Sequence, residues 1–101
     1  MPREADFGGA LRYVRQTRAQ SQEDLAAVSG RTYVSSLERN LQSPTLAKVG
    51  TFADALQVHP LTLLALCYIR PRTPAALQRM LRDVERELHE IEALHRAERS
   101  G

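Results

Sequence analysis

The last quarter of the chain carries a helical repeat that nothing interrupts. Residues 75–99 contain no glycine and no proline, and one set of positions recurs in alternating steps of four and three. This set, called the seam below, comprises Leu77, Leu81, Val84, Leu88, Ile91 and His95. Such spacing is typical of a helix that pairs along one stripe, and over residues 74–99 that helix is roughly 37 Å long. The other residues suffice for one small compact domain.

A lone helix with this seam would leave a large apolar stripe in contact with water. The stripe is widened by Met80 and Leu94. It has to be covered by a second copy of the chain, by a different protein, or by the compact domain itself. We favour a second copy, so the seam is the predicted homodimer interface.

The boundary before this helix is the segment Arg70-Pro71-Arg72-Thr73-Pro74. Two prolines make it stiff and extended. Thr73 can cap the following helix, with Pro74 as its first residue. We therefore predict a domain over residues 1–69 and a separate oligomerisation helix over residues 74–99.

Within the first domain, two short helical segments flank a glycine. Ser21 is suited to cap a helix over residues 22–28, and Gly30 can end it with a positive φ. A second helix over residues 31–39 would turn Val34 and Leu37 inward. Its outer face would carry the small or long polar side chains Arg31, Thr32, Ser35 and Ser36. Such side chains suit DNA base edges and phosphates. Two short helices joined by a glycine-containing turn predict a helix-turn-helix.

The pieces SQEDLA, RTYVSSLERN and SPTLAKVGTFADAL occur in this order and resemble the Cro/CI-type (XRE-like) helix-turn-helix family. The resemblance covers about residues 7–66. It implies an all-α, five-helix, lambda-repressor-like DNA-binding domain, here followed by the long C-terminal helix. Between Gln22 and Glu38 the chain is about two residues shorter than the family pattern, so we expect a tighter turn or a shorter end of the second motif helix.

The DNA contacts follow from the residues together with this resemblance. The predicted base contacts are Arg31, Thr32, Ser35 and Ser36, with Arg31 able to donate two parallel hydrogen bonds to guanine. The predicted phosphate contacts are Gln22, Tyr33, Arg39, Asn40, Thr45 and Lys48. For Tyr33, packing in the core is an equal alternative. The resemblance also implies a structural ion pair between Arg15 and Glu38.

The remaining segments supply the core of the predicted domain. Residues 1–6 are expected to form a loose terminus, and the other helices are expected over residues 7–18, 45–56 and 61–69. The predicted inward-facing side chains are Phe7, Leu11, either Val14 or Ala10, Leu25, Ala26, Val28, Val34, Leu37, Leu46, Val49, Phe52, Ala53 and Leu56. The fifth helix is apolar almost all round, so we expect it to be covered partly by the domain and partly by a second subunit.

Other classes of function find little support in the sequence. Cys67 is the only cysteine, which excludes an internal disulfide and leaves a buried side chain or a redox role. His59, His89 and His95 lack ligand partners at zinc-site spacing, and no glycine-rich phosphate loop occurs. We therefore expect no metal, no cofactor and no enzymatic activity. The net charge of only +2 permits DNA binding without indicating it. No signal peptide or membrane span is recognisable, so we expect a cytoplasmic protein that does not bind membranes.

The sequence thus predicts a transcriptional regulator that binds double-stranded DNA. Two copies would read an inverted-repeat operator as a homodimer. Repression is the simpler mode because it needs only binding. The alternative is an antitoxin or adaptor whose C-terminal helix binds a different protein.

Overall fold

The computed structural model describes residues 4–100, and every regular element in that range is an α-helix. The helices are α1 (Phe7–Thr17), α2 (Gln22–Ser29), α3 (Arg31–Glu38), α4 (Leu46–Ala55), α5 (Pro60–Tyr68) and α6 (Pro74–Ser100). The predicted all-α class is confirmed. The chain divides into two compact units, residues 1–68 with α1 to α5 and residues 69–101 with α6.

Most helices begin where local capping chemistry places them. Ser21 Oγ accepts from the Asp24 N–H at 3.1 Å, while the Asp24 carboxylate accepts from the Ser21 N–H at 2.7 Å. This reciprocal pair is a capping box. Thr45 caps α4 through a 3.2 Å bond from the Lys48 N–H. Thr73 caps α6 in the same way, which fixes the start of the long helix at the predicted residue.

Three helices of the first unit are followed by a non-glycine residue with positive φ. These residues are Ala19 after α1, Asn40 after α3 and Gln57 after α4, with φ of 57°, 57° and 59°. Left-handed residues of this kind end helices by turning the chain away from the axis. Only Asn40, whose short polar side chain tolerates this conformation, was recognisable in the sequence.

The core of the first unit lies among all five of its helices, α1 to α5. Its largest fully buried side chains are Phe52, Leu11, Leu25, Leu37, Leu56, Leu63, Val34 and Cys67. Among the aromatic rings, Phe52 packs against Phe7 at 6.4 Å and against Tyr33 at 6.3 Å between ring centroids. Phe52 therefore joins α4 to α1 through Phe7 and to α3 through Tyr33.

Two of the predicted core positions are wrong. Val28 is 42% exposed and Leu46 is 80% exposed. Val28 lies in the last turn of α2, whereas only the turn that carries Leu25 reaches the core. Leu46 is the first residue of α4, so its side chain lies at the end of the helix. In α5, Leu63 and Cys67 are buried while Leu61 and Tyr68 are exposed.

The predicted loose terminus is wrong at Asp6, and its residues 1–3 lie outside the described part of the chain. Asp6 caps α1 by accepting from the Gly9 N–H at 2.9 Å. Its own N–H donates to the Cys67 carbonyl at 2.8 Å. The start of α1 is thereby held against the end of α5.

The second unit consists mainly of α6, a helix of 27 residues. Its seam residues Leu77, Leu81, Val84, Leu88 and Ile91 are exposed. Within residues 4–100, no single helix has both the length and the hydropathy of a membrane span. The pair α4 and α5 meets those criteria only when both are counted together across a bend of 109°.

Candidate nucleic-acid interface

A single glycine separates the two helices of the motif. α2 ends at Ser29 and α3 begins at Arg31, so Gly30 follows one helix and precedes the other. Its φ of 86° lies in the region that favours glycine. The Gly30 N–H donates to the Ala26 carbonyl at 2.7 Å, and the Gly30 carbonyl accepts from the Val34 N–H at 3.1 Å. The expected shortening of the motif therefore falls in the turn, which is reduced to one residue.

This turn places Arg31 in the first turn of α3 with its side chain in solvent. The Arg31 side chain is 70% exposed, and one guanidinium nitrogen lies 3.4 Å from the Glu23 carboxylate in the first turn of α2. Glu23 is equally exposed, so solvent screens the pair and DNA can replace it. The guanidinium is thus available to an acceptor in a groove.

The outer face of α3 is narrower than the sequence predicted. Thr32 is exposed and Ser35 is half-buried, but Ser36 is only 9% exposed. The expectation that Ser36 faces outward is wrong. Since α3 packs against both α1 and α2, half of its eight residues are buried. The exposed face therefore consists of Arg31 and Thr32, with Ser35 at its edge.

Tyr33 links this face to α4. Its ring stacks on Phe52 at 6.3 Å, and the Lys48 ammonium lies 5.7 Å from the ring centroid on a cation–π contact. Lys48 Nζ also donates to Ser29 Oγ at 3.2 Å. The Tyr33 ring is half-buried and packs against the core, and its phosphate contact stays a prediction. Lys48 is held beside the end of α2, where the motif turns into α3.

The other predicted phosphate contacts lie around this surface. Arg39 is exposed at the end of α3, where its Nε lies 3.4 Å from the Ser35 carbonyl. Thr45 is exposed, and its hydroxyl accepts the capping bond of α4. Gln22 is half-buried at the start of α2, and one of its amide N–H groups donates to Glu38 at 3.0 Å. The second N–H of that amide can still serve a phosphate.

Beneath the motif, Glu38 holds α3 against α1. Its carboxylate accepts from Arg15 Nε at 2.7 Å and from a terminal Arg15 nitrogen at 3.0 Å. The Glu38 side chain is fully buried and that of Arg15 is 11% exposed. Arg12 lies 3.6 Å away on the solvent side, and Arg15 also donates to the Gln20 carbonyl at 2.9 Å. The ion pair that the resemblance implied is present, with two parallel hydrogen bonds.

Burial and charge act in opposite directions on this carboxylate. Burial raises the pKa of Glu38, but hydrogen bonds from Arg15 and Gln22 and the charges of Arg15 and Arg12 lower it further than burial raises it. The pKa of Glu38 therefore lies below its ordinary value. The hydrogen bond to Glu38 raises the pKa of Arg15 against the effect of burial. Both groups are charged at neutral pH, and a fixed charge pair secures the end of α3.

Asn40 connects the same end of α3 to the start of α1. Its side-chain oxygen accepts from the Gly8 N–H at 2.9 Å, and its amide nitrogen donates to Asp6 at 2.8 Å. In the free protein the Asn40 side chain is thus a link between helices, and its phosphate contact stays a prediction. Nothing in the sequence indicated this link, which spans more than thirty positions.

The comparison with known families shows the family to which this arrangement of helices belongs. A model of the helix-turn-helix family matches residues 11–63, more than half of the chain. The chain is a Cro/CI-type helix-turn-helix protein. In proteins of this type the second helix of the motif enters the major groove, and α3 is the second helix of the motif in this chain.

Solved structures are also similar to this helix-turn-helix protein. One of them is the restriction-modification controller protein C.AhdI from Aeromonas hydrophila, with 36% sequence identity and a TM-score of 0.55. The similarity covers 92% of the C.AhdI chain and 58% of this one. No curated protein sequence matches the chain. The family match and the similarity to C.AhdI both support a DNA-binding regulator of transcription.

Sequence reasoning missed two members of the interface of this helix-turn-helix protein. Glu23 was given no role in the sequence analysis, yet it reaches Arg31. Ser29 accepts from Lys48. The contact between Glu23 and Arg31 depends on the packing of α2 against α3, because each residue lies in the first turn of its own helix. The contact between Ser29 and Lys48 depends on the packing of α2 against α4 and left no local signal.

Proposed function

We propose that this protein is a sequence-specific transcriptional regulator that binds an inverted-repeat operator as a homodimer and acts as a repressor. The supporting observation is the exposed guanidinium of Arg31 in the first turn of α3, directly after a one-residue turn. An arginine at this place can reach the O6 and N7 atoms of guanine. The similarity to a restriction-modification controller protein supports the same class of function. We expect the protein to act in the cytoplasm.

The proposed contacts divide into two groups. Arg31, Thr32 and Ser35 would read bases, while Ser36 is left out because its side chain is buried. Arg39, Lys48, Thr45 and the free N–H of Gln22 would hold phosphates on either side. Phosphate contacts fix the register of α3 in the groove without carrying sequence information.

Selection of bound duplexes from a random pool tests this function. The full chain should enrich an inverted repeat whose half-sites are separated by one helical turn or a multiple of it. Enrichment of no sequence would contradict the proposal.

On the selected operator, Arg31→Ala should weaken the free energy of DNA binding by about 1–3 kcal/mol and relax the sequence preference at one base position. Arg82→Ala is the matched control, since Arg82 is exposed on α6. Binding is measured by fluorescence anisotropy with labelled duplexes. An equal loss on all sequences would show that Arg31 contacts phosphate only.

We further propose that the seam of α6 joins the two copies. Its leucine and isoleucine side chains are 40% to 64% exposed. Leu88→Glu in the full chain places a charge at the centre of the seam, so sedimentation should show a monomer. Arg86→Glu changes charge on the same helix away from the seam and should leave the mass unchanged. A Leu88→Glu variant that remains dimeric would exclude this interface.

The second candidate function is that of an adaptor or antitoxin whose α6 binds a different protein. It is favoured by the charges that lie beside the seam.

A further inference from the structure

The charges of α6 are sorted around the seam. In heptad notation, Leu81, Leu88 and His95 take position a, and Leu77, Val84 and Ile91 take position d. Positions e and g then border the seam. The bordering positions, from residue 78 to residue 99, are Gln78, Met80, Glu85, Glu87, Glu92, Leu94 and Arg99. Apart from Arg99 near the end of the helix, every charged residue in this border is a glutamate.

The other four arginines of α6 lie on the opposite side of the helix. Arg79 and Arg86 take position f, and Arg82 and Arg96 take position b. Positions b and f lie away from the seam, so these cations do not border a paired helix. The sequence of α6 is close to charge balance, but its pairing face is acidic.

Pairs within the helix do not remove this acidity. Glu92 lies 3.2 Å from Arg96 and Glu85 lies 3.6 Å from His89, each four positions apart with both side chains mostly exposed. Such pairs are weak and screened. Within residues 4–100, Glu87 takes part in no ion pair. Ion pairs within the helix therefore do not offset the negative charge of the three glutamates at the border of the seam.

Self-pairing brings these glutamates together in both orientations. In a parallel pair, position g of one helix borders position e of the next heptad on the other. Glu87 of each copy would then lie beside Glu92 of the other. In an antiparallel pair with full overlap, g borders g and e borders e, so Glu87 meets Glu87 and Glu85 meets Glu85. Like charges at such positions oppose association.

We propose that α6 pairs in preference with an α-helix of another protein whose apolar stripe is bordered by lysine or arginine. The apolar seam supplies the contact area for either partner, and the charges at e and g decide between them. A basic border would convert each of the two repulsive contacts of the parallel pair into an attractive one.

This inference rests on the proposed role of α6 as the pairing helix and is independent of DNA binding. A basic helix that takes the seam would displace the second copy and split the homodimer. Such a partner would release the protein from an inverted-repeat operator, since a single domain makes only half of the contacts.

A peptide derived from α6 itself tests the preference. One labelled peptide has the sequence of residues 74–100, and a second carries Glu85→Lys, Glu87→Lys and Glu92→Lys. Both keep the seam unchanged. Each is titrated with the full chain, and binding is followed by fluorescence anisotropy. The lysine peptide should bind about tenfold more tightly, equivalent to about 1.4 kcal/mol, and the difference should shrink between about 50 mM and about 500 mM NaCl because salt screens exposed charges.

Three controls separate the border charges from other causes. A peptide with Asp83→Lys and Glu90→Lys carries added positive charge at position c and should bind like the native peptide. The full chain with Leu88→Glu, checked by circular dichroism, should bind none of the peptides. The full chain with Glu85→Gln, Glu87→Gln and Glu92→Gln should no longer distinguish them.

Equal binding of the native and lysine peptides by the unaltered chain would overturn the proposal. Tighter binding of the native peptide would identify a second copy as the preferred occupant of the seam. Operator binding is measured on the chain without any peptide, so the failure of the DNA-binding proposal would be seen separately.

Discussion

Removal of the Glu38 charge should destabilise the first unit more than any surface substitution. Glu38→Gln keeps the size of the side chain but leaves the guanidinium of Arg15, 11% exposed, without a counter-charge. Breaking a buried pair in this way costs about 3–5 kcal/mol. A domain of this size has a total stability of roughly 3–10 kcal/mol, so the variant should be close to unfolded at 37 °C. In a thermal scan, its Tm should fall by at least about 12 °C. Urea denaturation followed by circular dichroism measures the change, and Glu90→Gln on the exposed surface of α6 is the control.

The pH dependence checks the cause of that loss. Because the pKa of Glu38 in the folded protein lies below its ordinary value of 4.5, the carboxylate contributes stability above that value. The contribution is lost as the pH falls through the lower, folded-state pKa. The difference in the free energy of unfolding between the native chain and Glu38→Gln should therefore be constant near neutral pH and shrink in strongly acidic solution. A difference that does not change with pH, or one no larger than that of Glu90→Gln, would refute the charged-pair argument.

Two further predictions use matched pairs of substitutions. A Cβ at Gly8 would lie 2.5 and 2.7 Å from backbone carbonyl oxygens of α3, whereas one at Gly50 would meet nothing within 4 Å. Gly8→Ala should therefore lower the free energy of unfolding by about 2–3 kcal/mol. Gly50→Ala should raise it by roughly 0.5–1 kcal/mol. Equal urea midpoints for Gly8→Ala and Gly50→Ala would contradict the close approach of α1 to α3. Leu11→Ala should cost about 2–5 kcal/mol because Leu11 is fully buried, and Leu46→Ala should change the free energy of unfolding by less than about 0.5 kcal/mol. A large loss at Leu46 in thermal denaturation would mean that α4 begins inside the core.

The helices themselves were predictable because their signals are local. Ser21, Thr45 and Thr73 mark helix starts through bonds to residues three positions ahead, and such bonds depend on little besides the neighbouring sequence. Gly30 is required for its positive φ, not for space. The ion pair between Arg15 and Glu38 was foreseen from the family resemblance, since the spacing of the two residues does not reveal their contact.

The sequence by itself thus determined six helices, the position of the motif and the heptad seam, since propensity, capping and periodicity act within a few residues. Only the tertiary structure decided that Ser36 turns inward, that Leu46 lies in solvent and that Asn40 joins Asp6. Which side of a short helix is covered depends on how many neighbours pack against it, and those neighbours come from distant parts of the chain. A segment of eight residues is too short for its hydrophobic periodicity to define that side, so the exposed face of α3 is set by the packing of α1 and α2.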